Sequence, residues 1–212
     1  YVPTTGQSTQ TACLAGTYNP NTGSTSSTAC GNADAGYYVP TTGQSTQLAA
    51  DAGYYVPTPG QSSQTACFAG TYQASTGQDD CDNADAGYYS PGTTATPSIS
   101  QTPCAAGTYS NYVATTPSSD RTSCTDSAAG YYSPGTVGGL NVNSSVTTVA
   151  TSDVPCAAGT YIATSGASSC TDAAAGSYSN GTISVNGIMV PATTAEPCAA
   201  GTYQAATGQS SC

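Results

Sequence analysis

Ala35-Gly36-Tyr37-Tyr38-Val39-Pro40-Thr41-Thr42-Gly43-Gln44-Ser45 is the stretch on which the fold turns. Its opening, Ala-Gly-x-Tyr, occurs ten times, with glycines at Gly16, Gly36, Gly53, Gly70, Gly87, Gly107, Gly130, Gly159, Gly176 and Gly201. The steps between them are 20, 17, 17, 17, 20, 23, 29, 17 and 25 residues, so the basic unit has 17 residues and the longer units carry insertions. Such self-similarity signals a repeat architecture. A second glycine follows the motif tyrosine by five residues in seven places: Gly6, Gly23, Gly43, Gly60, Gly77, Gly166 and Gly208. Glycine opens backbone conformations of positive φ and so marks a turn. Each unit reads as a short strand through tyrosine, a turn at Thr-Gly and a short return strand. Pro3, Pro40 and Pro57, between tyrosine and turn, mark edge or extended segments.

Composition excludes an ordinary globule. Leu, Ile, Val and Phe make up 19 of 212 residues, whereas Ser and Thr make up 64. That aliphatic content is too small to fill one large core. His, Lys and Trp are absent, Arg121 is the one basic residue, and the net charge is −10. Nucleic acid and anionic membranes are poor partners, because nothing replaces their counterions. The usual general bases and nucleophile activators are missing, so the chain does not read as an enzyme. No apolar run approaches the 18 residues of a membrane span. A chain this polar would default to disorder, but ten cysteines supply order where a core cannot.

The cysteines keep the register. Cys13, Cys67, Cys104, Cys156 and Cys198 stand three residues before the motif glycine. Cys30, Cys81, Cys124 and Cys170 stand six before the next one, and Cys212 fits that slot. The two kinds alternate strictly. Pairing neighbours gives Cys13–Cys30, Cys67–Cys81, Cys104–Cys124, Cys156–Cys170 and Cys198–Cys212, each closing one unit's hairpin. Connectivity is not fixed by sequence, but the in-phase alternation favours these local pairs. Each closure contributes roughly 3 kcal/mol in the chain-entropy model. The even count in a polar chain points to an extracellular, oxidising setting. With no His and no Cys-x-x-Cys, zinc finds no ligand set.

Between the stapled units lie unstapled ones, where Ala33, Ala50, Ala84, Ser127 or Ala173 takes the first cysteine slot. Stapled units read Gly-Thr-Tyr. Four unstapled units read Gly-Tyr-Tyr, gaining Tyr37, Tyr54, Tyr88 and Tyr131, and the fifth has Ser177. An extra packed aromatic is of similar worth to a short-loop bridge. The second motif position holds Tyr18, Tyr38, Tyr55, Tyr72, Tyr89, Tyr109, Tyr132, Tyr161, Tyr178 and Tyr203. These read as a stacking core between successive units, with a carbohydrate- or ligand-stacking stripe as the lesser reading.

Insertions at 133–155 and 179–197 hold much of the aliphatic content. Thr182–Val190 reads as a β-hairpin about Asn186-Gly187, the favoured type I′ pair. Val137–Val142 reads as a weaker one. Asn143-Ser144-Ser145 and Asn180-Gly181-Thr182 are N-glycosylation sequons. Thr93, Thr94, Thr115, Thr116, Thr193 and Thr194 are O-glycosylation candidates, by Ser/Thr/Pro context. Asp79, Asp80, Asp82 and Asp85 cluster around Cys81. They could hold Ca²⁺, although they lack the EF-hand pattern, and turn capping is the stronger reading. No other cofactor is indicated.

Residues 1–10 repeat residues 38–47, and Cys212 falls at a unit's end. Residues 1–212 read as a continuous array cut from a longer one. The pattern Cys104-Ala105-Ala106-Gly107-Thr108-Tyr109, with Cys170-Thr171-Asp172-Ala173-Ala174-Ala175-Gly176, resembles the ephrin-receptor-like cysteine-rich repeats. Their Cys-x-x-Cys-Pro-Ala-Gly-Thr-Tyr-Ser…Thr-Gly…Ser-Cys pattern is followed over nearly the whole chain outside the insertions. The departures are consistent: one cysteine of each Cys-x-x-Cys is replaced, and the proline becomes Ala, Asp, Leu14 or Phe68. Such repeats occur in receptor ectodomains and in long surface proteins of single-celled eukaryotes, some similar to the subunits of glycosylated flagellar hairs (mastigonemes). The resemblance implies an elongated, disulfide-stapled all-β rod and transfers no catalytic residue.

The expected fold is therefore all-β: disulfide-stapled hairpins of about 17 residues stacked in a solenoid-like rod, each contacting mainly its neighbours. The expected function is a structural segment of an extracellular, glycosylated filament or stalk, with copies of itself or neighbouring repeats and covalent glycans as partners. The alternative is a ligand-binding ectodomain of an adhesin or receptor, with the inserted hairpins as the recognition surface.

Overall fold

The computed structural model describes residues 9–111, 122–136, 150–185 and 187–212. Their regular structure is almost entirely β, in ten two-stranded antiparallel sheets. The 3₁₀ turn Ser27–Ala29 is capped by Ser26, whose hydroxyl accepts the Thr28 N–H. The ten repeat units begin at Cys13, Ala33, Ala50, Cys67, Ala84, Cys104, Ser127, Cys156, Ala173 and Cys198 and are numbered 1 to 10 in that order.

In units 1 to 9 the motif tyrosine and the residue before it pair with the last two residues of the unit. In unit 2, Tyr37 opposes Ala49 and Tyr38 opposes Leu48. In unit 8, Thr160 opposes Asp172 and Tyr161 opposes Thr171. Both partners are edge strands, which is why proline can sit in them: Pro103 faces Tyr88 and Pro155 faces Tyr131. The tight turn lies between hairpins. In unit 2, Tyr37 N–H donates to the Asp34 carbonyl at 3.0 Å, with Gly36 at φ +83°. A positive φ at the third residue is the type II arrangement, which explains the glycine of Ala-Gly-x-Tyr. The same bond recurs in all ten units, as at Thr71 to Phe68 and Thr202 to Ala199.

The described residues divide between two compact bodies. Of these residues, one body comprises 9–84, 90–101 and Thr122, the other 85–89, 102–111, 123–136, 150–185 and 187–212. Unit 5 is divided between them: its strands belong to the second and its loop to the first.

The interior of each body is thin and built from small side chains. In the first body Ala33, Ala50, Cys67, Val39 and Val56 are fully buried. In the second, Cys104, Ser127, Ser133, Ala173 and Ser179 are. Two positions per unit therefore carry the core: the residue three before the motif glycine and the residue after the motif tyrosine. The tyrosines flank this seam. Tyr18, Tyr38, Tyr55, Tyr72, Tyr89, Tyr109, Tyr132, Tyr161 and Tyr178 are half-buried, and Tyr203 is 83% exposed. A half-buried phenol packs its ring and leaves its hydroxyl in reach of water.

Within insertion 179–197, Thr182–Val185 pairs with Ile188–Pro191, with Val185 opposite Ile188 and Gly187 at φ +82°. The outer end is apolar and open, Val185, Ile188 and Met189 all being exposed. Val137–Val142 lies outside the described residues.

Candidate functional site: closures and junctions of the repeat

Each unit must be closed on itself and joined to the next, and the residues that do this recur at fixed slots. Closure in five units is covalent. Cys13–Cys30, Cys67–Cys81, Cys104–Cys124, Cys156–Cys170 and Cys198–Cys212 are disulfides, 14 to 20 residues apart, with Cα–Cα distances of 5.6–5.9 Å. These distances are ordinary for a bridge. No cysteine is free. The stapled units also hold their turn with a hydroxyl. Thr17, Thr71, Thr108, Thr160 and Thr202 each donate Oγ1–H to the carbonyl of the residue three before, at 2.8 Å.

The unstapled units 2 and 3 are closed by a polar clasp that sequence reasoning missed. In unit 2, Gln47 Nε2 donates to Asp34 Oδ2 and Gln47 Oε1 accepts the Asp34 N–H, both at 2.7 Å. In unit 3, Gln64 and Asp51 make the same pair of bonds, again at 2.7 Å. Gln47 and Gln64 stand six residues before the next motif glycine, the slot that a cysteine fills in stapled units. Asp34 and Asp51 share the slot two before the motif glycine, where an aspartate can cap the turn. The carboxylates instead hold the glutamine amides, and the glutamines satisfy the turn N–H groups. Writing the cysteine-free units in the cysteine register would have exposed the pairing. Unit 7 uses a reduced version: Asp153 occupies that slot and its Oδ2 accepts the Ala128 N–H at 3.2 Å. In unit 9 the slots hold Ala174 and Ala195, and the unit instead carries the Thr182–Pro191 hairpin. The extra tyrosines Tyr37, Tyr54, Tyr88 and Tyr131 lie in strands and are half-buried.

Successive units are joined backbone to backbone. Gly36 N–H donates to Val56 O at 2.8 Å, Val39 N–H to Gln61 O at 3.0 Å, and Gly60 N–H to Ala33 O at 2.8 Å. In the second body the corresponding bonds include Gly130 to Ile162 at 2.9 Å, Ser133 to Ala167 at 3.0 Å and Gly166 to Ser127 at 2.8 Å. The first of these bonds links every consecutive pair of units from 1 to 10. Such bonds need no particular side chain, so the junction tolerates changes of surface sequence.

Contact extends to the next unit but one. A methyl group on Gly16 would collide with the carbonyl oxygen of Gly60, and one on Gly36 with that of Gly77. The second body repeats this at Gly107 with Gly166 and Gly159 with Gly208. At these four positions the motif glycine is thus required twice over, by its positive φ and by this backbone approach. Units do not contact only their immediate neighbours.

Buried serines tie the inserted units to those before them. Ser90 Oγ donates to Thr71 O at 2.8 Å, Ser133 Oγ to Thr108 O at 2.7 Å, and Ser179 Oγ to Thr160 O at 2.9 Å. Ser110 takes the same position but its buried Oγ makes no hydrogen bond among the described residues.

The remaining candidate residues lie at the surface. Asn180 is exposed, and its Oδ1 accepts the Thr182 N–H at 3.2 Å. Thr93 and Thr94 are exposed, with the Thr93 and Thr96 hydroxyls 2.9 Å apart; Thr194 is exposed and Thr193 half-buried. Asn143, Thr115, Thr116 and Arg121 lie outside the described residues. Asp80 Oδ1 accepts the Cys81 N–H at 2.8 Å. Asp79, Asp80, Asp82 and Asp85 do not converge, and no group of three or more His, Cys, Asp or Glu side chains fit to hold a metal ion is found among the described residues. Nor, among them, is any helix long and apolar enough to cross a membrane. No protein-family model and no curated protein matches the chain.

Proposed function

We propose that the chain is a repeat segment of an extracellular, glycosylated filament or stalk. The observation that carries this reading is the shared junction: the same Gly N–H to carbonyl bond joins each unit to the next from unit 1 to unit 10. An assembly made this way lengthens without a growing core, because each added unit finds the same partners. Five bridges in a chain with so little aliphatic content suit an oxidising environment. The resemblance to ephrin-receptor-like repeats of mastigoneme-type proteins points the same way. The mechanism is mechanical: covalent closures and clasps hold hairpins, backbone bonds transmit load between hairpins, and glycans at Asn180, Asn143 and the threonine clusters keep a surface poor in charged residues solvated.

Electron microscopy of the non-reduced protein, with glycan mass analysis, tests this. Regular filaments, or straight rods of roughly 10 Å per unit, with added hexose mass are expected. Compact particles of bare peptide mass overturn the reading. Isolated short rods that bind a receptor through the Thr182–Pro191 hairpin favour the ligand-binding ectodomain instead.

A further inference from the structure

Two hollows in the second body are built from the same residue types at corresponding places. One, of about 430 Å³, is lined by Tyr132, Pro155, Ala157, Thr160, Ser169 and Cys170, and also by Val154. The other, of about 280 Å³, is lined by Tyr178, Pro197, Ala199, Thr202, Ser211 and Cys212. A third set in the same register is Tyr89, Pro103, Ala105, Thr108, Ser123 and Cys124. Each set lies where an unstapled unit meets the stapled unit after it. The alanine keeps the hollow open, since the same slot holds Leu14 and Phe68 in the two other stapled units.

The lining defines the ligand. Neither hollow contains a charged side chain, and the chain's net charge of −10 repels anions. Tyrosine and proline rings offer apolar planes. Thr108, Thr160 and Thr202 have each given their hydroxyl hydrogen to the carbonyl of Ala105, Ala157 or Ala199 at 2.8 Å. A threonine hydroxyl so committed presents only lone pairs. The ligand favoured here is therefore not anionic, donates hydrogen bonds, and has an apolar C–H face. A proline-rich peptide meets the second condition only at its non-proline positions, because proline has no N–H. A pyranose ring meets all three. The geometry points to a row of subsites for a neutral polysaccharide, each shallow and weak, and effective together through avidity along one polymer. This role is separate from filament formation and stands whether or not the chain polymerises.

The test is retention of the whole, non-reduced chain on an insoluble β-1,4-glucan and on an α-mannan. Heparin, a proline-rich PxxP peptide and the free chain itself serve as competing occupants. Ala157→Phe and Ala199→Phe fill the two hollows, and Ala105→Phe the same slot of the third set, with the side chain that Phe68 already carries; folding is verified by the disulfide map. The expected result is retention on at least one neutral polysaccharide, a few-fold loss for each single substitution and about 100-fold for the triple one. Absence of retention on both polysaccharides overturns the proposal, as does equal retention of the triple variant. If the peptide, heparin or a second copy binds instead, with the same substitutions abolishing it, the hollows belong to that occupant and the proposal also fails.

Discussion

Replacing Gln64 by alanine in unit 3 removes both bonds of a polar clasp while leaving the backbone intact. The lost interactions are one charge-assisted bond to Asp51 Oδ2 and one neutral bond from the Asp51 N–H, both 2.7 Å long. A charged bond is worth about 1.5–3 kcal/mol and a neutral one about 0.5–1.5. Asp51 is exposed and Gln64 only half-buried, so water screens the pair and recovers part of the loss. A net cost of about 1–2 kcal/mol follows, or about a 5- to 30-fold rise in local opening. Native-state amide exchange reads this at Cys67 N–H, bound to Gly53 O, and at Gly77 N–H, bound to Ala50 O. Ile162 N–H, in the other body, is the unaffected reference. The complementary variant, Ala50→Cys with Gln64→Cys, places thiols in the slots of Cys67 and Cys81 at the same separation of 14. It should oxidise spontaneously and stabilise unit 3 by about 3 kcal/mol. Unchanged exchange at Cys67 in the alanine variant, together with two thiols that stay free, would refute the equivalence of clasp and bridge.

The other predictions concern the backbone, the buried serines and the redox state. Gly36→Ala forces a methyl into the Gly77 carbonyl at φ +83° and should cost more than 2 kcal/mol by denaturant titration. Gly31→Ala meets nothing within 4 Å and should stay within about 0.5 kcal/mol of the parent. Ser133→Ala deletes a buried bond to Thr108 O and should destabilise by about 1 kcal/mol. Ser110→Ala removes a hydroxyl with no partner and should be neutral or stabilising in the same titration. After reduction and alkylation of all ten cysteines, exchange at Ile162 and Ser179 should quicken by at least tenfold. Val39 and Val56, which lie in the clasped units, should keep most of their protection. Equal loss at all four would show that the clasps depend on the bridges.

Tandem junctions give a physical reason why such a chain can be poor in charge and in oil at once. Each unit buries one alanine or cysteine and one small residue, Val39 or Ser133 for example, against backbone from adjacent units. Little hydrophobic area is gained per unit, so loop closure does much of the stabilising. Bridges limit the unfolded ensemble directly, and the Asp–Gln clasps achieve part of this without sulfur.

The division between what could be read and what could not follows from the range of each interaction. The spacing of Ala-Gly-x-Tyr marked the units, and the Asn186-Gly187 pair placed the inserted hairpin, because turns are local and only certain residues adopt them. The alternation of cysteines selected the neighbouring pairs that are bridged, since a short loop is the simplest to close. By contrast, the Asp34–Gln47 clasp joins residues 13 apart that carry no obvious pairing code. The full burial of Val39 and Ser133, with the tyrosines only half-buried beside them, depends on how closely successive backbones approach. So does the meeting of Gly16 with Gly60 across an intervening unit. Periodicity in one dimension determined which residues are equivalent; only packing in three decided which of them touch, because that distance is set by backbone against backbone and leaves no mark on side-chain identity except the glycine itself.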